Sequence, residues 1–374
     1  MDVDEIRSEF PVTRKYAYLD NAAVGPLPAK TVEAVRRVTE EKCEGDLHWA
    51  SWEETVDRTR SSIASLIGAS TEEIALVHST TEGIAIVANG LSYEKGSNIV
   101  TCDMEFQSNL FPWQAISKRV GMELRVVRNH EGKLLMEDFS QVIDRKTRLV
   151  AVSYVQFSNG FRIDLEQLSK IVHENGAYIV TDAVQAVGQM PVDTSKLGVD
   201  FLAASGYKWM LSPISTGLLY VRRGLLDQLW PTMVGYRSDE DPLVFGFREF
   251  RPAASARRYE AGQLNFPGFA GMNQSVGLIQ SVGTEQIWRR TVGLQDRLLD
   301  GVKDRTTVEV KSHLAPSSRS GILNLTCKDP DSVAKRLLER GIVVSVRSGG
   351  LRISPHFYNS EEEIDRLASE LSAL

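Results

Sequence analysis

The residue best suited to covalent chemistry in this 374-residue chain is Lys208, which ends the stretch Asp200-Phe201-Leu202-Ala203-Ala204-Ser205-Gly206-Tyr207-Lys208-Trp209. An apolar strand pattern closes there in a hydroxyl, a glycine and a lone lysine. An amine so placed is poorly hydrated, its pKa falls, and the neutral form can attack a carbonyl carbon to give a Schiff base. Twenty-six residues upstream, Ala177-Tyr178-Ile179-Val180-Thr181-Asp182 is a second strand pattern with a polar end, followed by Ala183-Val184-Gln185. An acid at one strand end and a lysine at the next point to a site along the carboxyl edge of an α/β sheet.

Together with Thr80-Thr81-Glu82-Gly83, the pair Asp182-x-x-Gln185 and Ser205-x-Tyr207-Lys208 resembles the pyridoxal-phosphate enzymes of aminotransferase class V, fold type I. Within that group the chain is most similar to the branch holding cysteine desulfurases, selenocysteine lyases and isopenicillin N epimerase-like proteins. The likeness runs from Tyr18-Leu19-Asp20-Asn21-Ala22-Ala23 to Arg352-Ile353-Ser354, nearly the whole chain. Any one motif would be weak; four in the right order are specific. The resemblance implies a large domain with a mainly parallel seven-stranded sheet, a smaller α+β C-terminal domain, and a homodimer that builds each site from two subunits. The expected divisions are an arm over 1–17, the cofactor domain over 18–267, and a long linking helix with the small domain over 268–374.

The resemblance also implies roles. Lys208 would form the internal aldimine with pyridoxal 5'-phosphate and then move the Cα proton of the substrate. Asp182 would keep the pyridine nitrogen protonated, which stabilises a carbanion at Cα. Gln185 would bond the phenolic oxygen, and Phe106 would stack on the ring. Thr80, Thr81, Ser205 and Tyr207 would hold the phosphate, with Gln263 near the phosphate site of the dimer partner. Asn21, Gln156 and Arg352 would meet the substrate. Period-2 alternation sets Arg352 opposite Leu351 and Ile353, and a planar guanidinium matches an α-carboxylate. Taken singly, these residues have plainer readings: Ser79 and Glu82 have the spacing of an ordinary helix cap, Asp182 of another, Phe106 and Tyr207 of packed aromatics, Arg352 of an edge-strand charge.

Four positions depart from the resembled pattern. Phe106 stands where desulfurases carry a histidine, so it offers a stacking face but no proton. Tyr207 replaces a common histidine and Gln263 a usual threonine; both can still donate a hydrogen bond. Desulfurases also carry a nucleophilic cysteine on a loop just before the carboxylate arginine, whereas Arg347-Ser348-Gly349-Gly350-Leu351 holds no thiol. The expected activity is therefore that of a class V aminotransferase acting on a small α-amino acid. A cysteine or cystine C–S lyase or desulfurase-like enzyme and an amino-acid epimerase are the alternatives, and an idle protein on the same fold is the alternative without catalysis.

Strand, helix, strand recurs from Glu73 to Val221, the signature of a largely parallel sheet covered on both faces. Upstream, helical spacing between Ala29 and Ile67 is interrupted at Gly45-Asp46-Leu47-His48-Trp49. Leu229 to Pro267 has little periodicity and reads as a loop system. Beyond it a long helix is expected from Ala270 to about Leu299, then strand Gly321–Thr326, helix Pro330–Arg340, strands Ile342–Val346 and Leu351–Ser354, and helix Glu361–Leu371.

Composition bounds the rest. With 43 basic and 49 acidic residues the net charge is −6, which gives no broad attraction to nucleic acid or anionic lipid. No apolar run approaches the ~20 residues of a membrane span, and Met1-Asp2-Val3-Asp4-Glu5 opens no secretion signal. Cys43, Cys102 and Cys327 are widely spaced and form no metal-ligand grouping, so a reducing cytoplasm is expected. No GxGxxG follows a strand, which excludes a nicotinamide site of the usual kind.

Overall fold

The computed structural model describes residues 2–303 and 306–373. Met1, Asp304, Arg305 and Leu374, which fall within the expected arm and C-terminal region, lie outside the described residues. Seven strands form the large sheet: β1 Ile74–Val77, β2 Asn98–Cys102, β3 Glu123–Val127, β4 Thr147–Ser153, β5 Tyr178–Asp182, β6 Phe201–Ser205 and β7 Gly217–Val221. Their order is β1-β7-β6-β5-β4-β2-β3, parallel throughout except for β7, which runs antiparallel to both β1 and β6.

Alternation along these strands feeds two cores. Ala75, Val77, Ile99, Ala151, Val180, Ala203 and Leu219 pack with Ile84, Val87, Trp113 and Ile116 from the helices Thr80–Gly90 and Phe111–Val120. Their neighbours Ile74, Leu76, Val100, Val152, Ile179, Leu202 and Leu218 face the other way, with Val56 and Ile63 of helix Trp49–Leu66, Leu168 of Leu165–Glu174 and Phe269 of Phe266–Val282. Burial on both faces is what a parallel sheet requires, and it explains why these strands are almost wholly aliphatic. Only the edge strand β3 exposes charge, at Glu123, which discourages pairing with another sheet.

A second, antiparallel sheet joins Val308–Val310, Leu323–Cys327, Ser345–Arg347 and Gly350–Ile353. Its core is Leu323, Leu325, Leu351 and Ile353 against Leu294 and Leu298 of helix Thr284–Val302, Leu337 of Pro330–Glu339 and Ile364 and Leu367 of Glu361–Ser372. The chain's first strand, Ala17–Tyr18, pairs in parallel with Ile342–Val343, so the N-terminal segment is tied to the C-terminal region.

Three expectations need correction. The long helix from Ala270 to Leu299 is two helices, Phe266–Val282 and Thr284–Val302, broken at Gly283, whose φ of 84° a helix cannot continue. Tyr18-Leu19-Asp20-Asn21-Ala22-Ala23, whose sequence reads as an extended entry, turns after Asp20, because Asn21 and Ala23 are held by backbone bonds to Ser354 and Asp20. The capping box at Ser79 is half formed: its hydroxyl accepts from the Glu82 N–H at 3.1 Å, but the Glu82 carboxylate takes the His78 N–H at 2.6 Å instead of that of Ser79.

One buried ion pair fastens the loop system to the sheet. The Glu260 side chain is fully buried, accepts from the Arg60 guanidinium and takes the Leu76 N–H of β1 at 2.9 Å. Glu260→Gln leaves the buried Arg60 only the exposed Asp57 carboxylate, at 3.7 Å, and is expected to cost about 3 kcal/mol in urea unfolding.

Candidate active site

Four neighbouring parallel strands, β6, β5, β4 and β2, end on the same edge in Ser205, Asp182, Ser153 and Cys102. Asp182 is buried; one carboxylate oxygen accepts from the Val184 N–H at 2.9 Å, and among the described residues the other takes no hydrogen bond. Burial raises its pKa to about 7, opposed by that N–H and by the charge of Lys208. Burial lowers the Lys208 amine to about 8, opposed chiefly by Asp182. Both groups thus change charge near neutrality, as acid–base work requires.

The Lys208 backbone is pinned. The Tyr207 carbonyl accepts from the Gly25 N–H at 2.8 Å, and a Cβ on Gly25 would sit 2.1 Å from the Lys208 carbonyl, so only glycine fits there. The Lys208 ammonium lies 6.0 Å from the Phe106 ring centroid and 5.8 Å from that of Tyr207. Phe106 is 43% exposed, so a ring face remains open to a flat ligand. Phe157 packs edge-on against it at 5.2 Å.

Other sequence-derived candidates are placed as follows. Thr80 and Ser205 bond each other: the Thr80 N–H donates to the Ser205 hydroxyl at 2.8 Å and the Ser205 N–H to the Thr80 hydroxyl at 2.9 Å. Thr81 is exposed and donates to the Ser108 hydroxyl at 2.8 Å, which adds Ser108 to this corner. The Gln185 amide donates to the Ala22 carbonyl at 2.9 Å and accepts the Trp209 indole N–H at 2.7 Å, leaving one amide hydrogen. Burial raises the Tyr207 phenol, which therefore stays a donor.

Arg352 is almost fully buried, donating to the Phe157 carbonyl at 3.0 Å and to Asp20 at 3.2 Å, with its Nε unpartnered. Asn21 spends its polar atoms on Ser354 and Tyr358, at 2.8 and 2.9 Å, and so joins the two ends of the chain. Gln263 lies on the surface, accepting from the Tyr236 hydroxyl at 2.8 Å.

The sequence reading missed Glu105 as a residue of this edge. Its buried carboxylate takes the Ser153 N–H and hydroxyl at 2.7 and 2.5 Å, Asn109 at 2.8 Å and Gln156 at 3.1 Å. That network fixes the loop bearing Phe106 and leaves the Gln156 amide oxygen buried without a partner. Asp20, the Arg352 partner, stood in a motif already singled out, but its contact spans 332 residues of chain and no local pattern signals it.

These residues fit pyridoxal phosphate: a buried carboxyl with an unpaired oxygen suits a pyridinium, an open aromatic face suits the ring, and a lysine of lowered pKa suits the aldehyde. An acid whose folded pKa is raised holds its proton more tightly when folded. Its contribution to stability is intact below about pH 4 and is lost as the pH rises through about 7. In protein stripped of cofactor, Asp182→Asn is therefore expected to exceed the wild type by a few kcal/mol at about pH 8 and to match it near pH 4, while the loaded variant loses activity.

Among known proteins, the chain is 31% identical to the probable cysteine desulfurase of Methanothermobacter thermautotrophicus, covering all of this chain and 98% of that one. The apo cysteine desulfurase of Thermococcus onnurineus NA1 superposes with a TM-score of 0.90 at 28% identity, over 99% of this chain and 97% of that one. Two structures of the cystine C–S lyase C-DES share the fold, each at 24% identity, with TM-scores of 0.91 and 0.90 over 98% and 97% of this chain and 98% and 99% of theirs. One has glycine covalently linked to its pyridoxal-phosphate cofactor, the other its product cysteine persulfide. With the aminotransferase class-V family model matching residues 17–367, the chain belongs to that family and is a pyridoxal-phosphate-dependent enzyme.

Proposed function

We propose that this enzyme is a C–S lyase acting on cystine or another S-substituted cysteine, by removal of the Cα proton and expulsion of the sulfur from Cβ. This is the alternative reading of the sequence, and the desulfurase relatives favour it over transamination. One observation carries the choice of lyase over desulfurase. Before Arg352 the chain makes a two-residue hairpin turn at Ser348-Gly349, with φ values of 50° and 74° and Arg347 paired to Gly350. A turn so short holds no mobile loop and no thiol.

Cys102 and Cys327, the cysteines on the two sheets, offer no substitute. Cys43 is exposed in a turn at Lys42–Glu44; Cys102 is buried, donates to Glu105 and is pushed well up in pKa; burial also raises the Cys327 thiol, on the second sheet. A thiol kept protonated is a poor nucleophile.

The bound cofactor supplies an electron sink next to Cα. Lys208, whose pKa burial lowers to about 8, takes the Cα proton in its neutral form. Asp182 keeps negative charge beside the ring nitrogen. Arg352 binds the α-carboxylate, with Asp20 fixing its orientation. Phe106 and Phe157 offer no proton donor, so the leaving sulfur departs as a thiolate or takes the proton that Lys208 removed. The Cβ–S bond breaks with both electrons on sulfur, and the released enamine hydrolyses to pyruvate and ammonium.

The reading includes a homodimer, in keeping with the exposed apolar run Leu243, Val244, Phe245 and Phe247, and a cytoplasmic setting, in keeping with three unpaired cysteines. No helix of the described residues is long and apolar enough to cross a membrane.

Purified enzyme given cystine is expected to form pyruvate and persulfide sulfur without alanine. In a parallel assay with cysteine, alanine with a protein-bound persulfide would mean desulfurase chemistry, and keto-acid-dependent turnover would mean transamination. Lys208→Ala is expected to abolish pyruvate formation. Arg352→Ala is expected to raise KM for the amino acid at least about tenfold, the value of a charge-assisted pair.

A further inference from the structure

The segment that follows Arg352 does more than end the second sheet. Ser354 bonds Leu19 and Ala22, Tyr358 bonds Asn21, and Asn359 bonds Tyr18. Between them, His356 is fully buried against the residue that follows Lys208: its ring lies 5.4 Å from that of Trp209, and its Nε2 is 3.0 Å from the Trp209 carbonyl oxygen. A carbonyl can only accept, so Nε2 carries the proton. On the other side, Nδ1 accepts the Phe357 N–H at 2.9 Å. Both ring nitrogens are thereby committed, and the imidazole is neutral with one tautomer. Burial, which pushes its pKa down to about 4, agrees with that assignment.

The peptide it holds needs holding. Immediately after Lys208 and Trp209 the chain passes through Leu211, a buried non-glycine residue at φ 54°. Left-handed backbone at such a residue persists only where surrounding contacts fix it. The Tyr207 carbonyl is held by Gly25 and the Lys208 carbonyl by Leu211 at 3.1 Å, so the Trp209 carbonyl completes three successive anchors. The Trp209 indole in turn orients Gln185.

We infer that His356 is a positioning residue for Lys208: its Nε2–H, donated to the Trp209 carbonyl, fixes the height and direction of the lysine, and the three-residue link to Arg352 ties that lysine to the carboxylate clamp. The inference rests on Lys208 as the cofactor lysine, and not on which bond the enzyme breaks. A displaced lysine misaligns proton transfer while leaving carboxylate binding intact, so the effect falls on kcat.

Two measurements on the holoenzyme test it. Long-range nitrogen–proton correlation spectra of the wild type are expected to show His356 protonated at Nε2; protonation at Nδ1 overturns the inference. In the second, His356→Leu removes the donor and His356→Gln keeps an amide N–H at similar reach. His356→Leu is expected to lower kcat at least about tenfold with KM changed less than about threefold, and to lose about half the circular dichroism of the visible cofactor band. His356→Gln is expected to regain most of both. A Leu variant with wild-type kcat and dichroism, or a folded Gln variant as impaired as Leu, overturns it. Should the Leu variant fail to fold, the tautomer and the Gln variant still decide. A wild type with a visible band but no action on cystine would sink the lyase reading and leave these optical and tautomer tests standing.

Discussion

Two opposite charges taken out of water govern this molecule. Asp182 and Lys208 sit at the ends of adjacent strands in a sheet covered on both faces, and burial moves their pKa values toward each other, to about 7 and about 8. In water neither group would change charge near neutrality. The sheet supplies what water would not: a fixed separation, a low dielectric and a single N–H donor on the carboxylate. Everything around the pair either keeps it dry or keeps it aligned.

Alignment comes from both ends of the chain. Ala17–Tyr18 runs beside Ile342–Val343, Asp20 pairs with Arg352, and Asn21 bridges Ser354 and Tyr358. Arg352 and the segment that packs against Trp209 therefore belong to one folded unit made from sequence-distant pieces. Arg352 shows the consequence. Nearly buried and bonded to Asp20, it presents its guanidinium in one orientation. A carboxylate ligand gains from that preorganisation, because little side-chain entropy remains to be lost.

Departures from the desulfurase pattern are consistent with one another. A phenylalanine replaces the proton-shuttling histidine, and a two-residue turn replaces the cysteine-bearing loop. Both remove groups that would receive sulfur or a proton from the substrate, and neither touches Lys208, Asp182 or Arg352. Under the proposed function, Lys208, Asp182 and Arg352 would serve the first half of the reaction, and the chain lacks the groups that would accept sulfur. Phe157, edge-on to Phe106, makes the remaining wall apolar.

Much of this was legible in residue order. The strand patterns ending in Asp182 and near Lys208 are nearly pure aliphatic runs, and such runs report burial on both faces directly, so the α/β class and the candidacy of Lys208 followed from local pattern. The missing thiol before Arg352 was equally plain, since an absence at a fixed spacing needs no coordinates. Contacts made by tertiary packing were not legible. Glu105 read as one polar residue in a loop, yet it is buried at the hub of Ser153, Asn109 and Gln156; Thr80 and Ser205 read as phosphate donors, yet they bond each other; His356 read as nothing in particular. The helix break at Gly283 was missed because a lone glycine inside a helical pattern is usually tolerated. Local sequence determined the strand and helix patterns and which residues are candidates for chemistry, because spacing and hydropathy are local quantities. Which partner each polar group found was decided only by tertiary packing, because buried donors and acceptors pair with whatever the fold brings within about 3 Å.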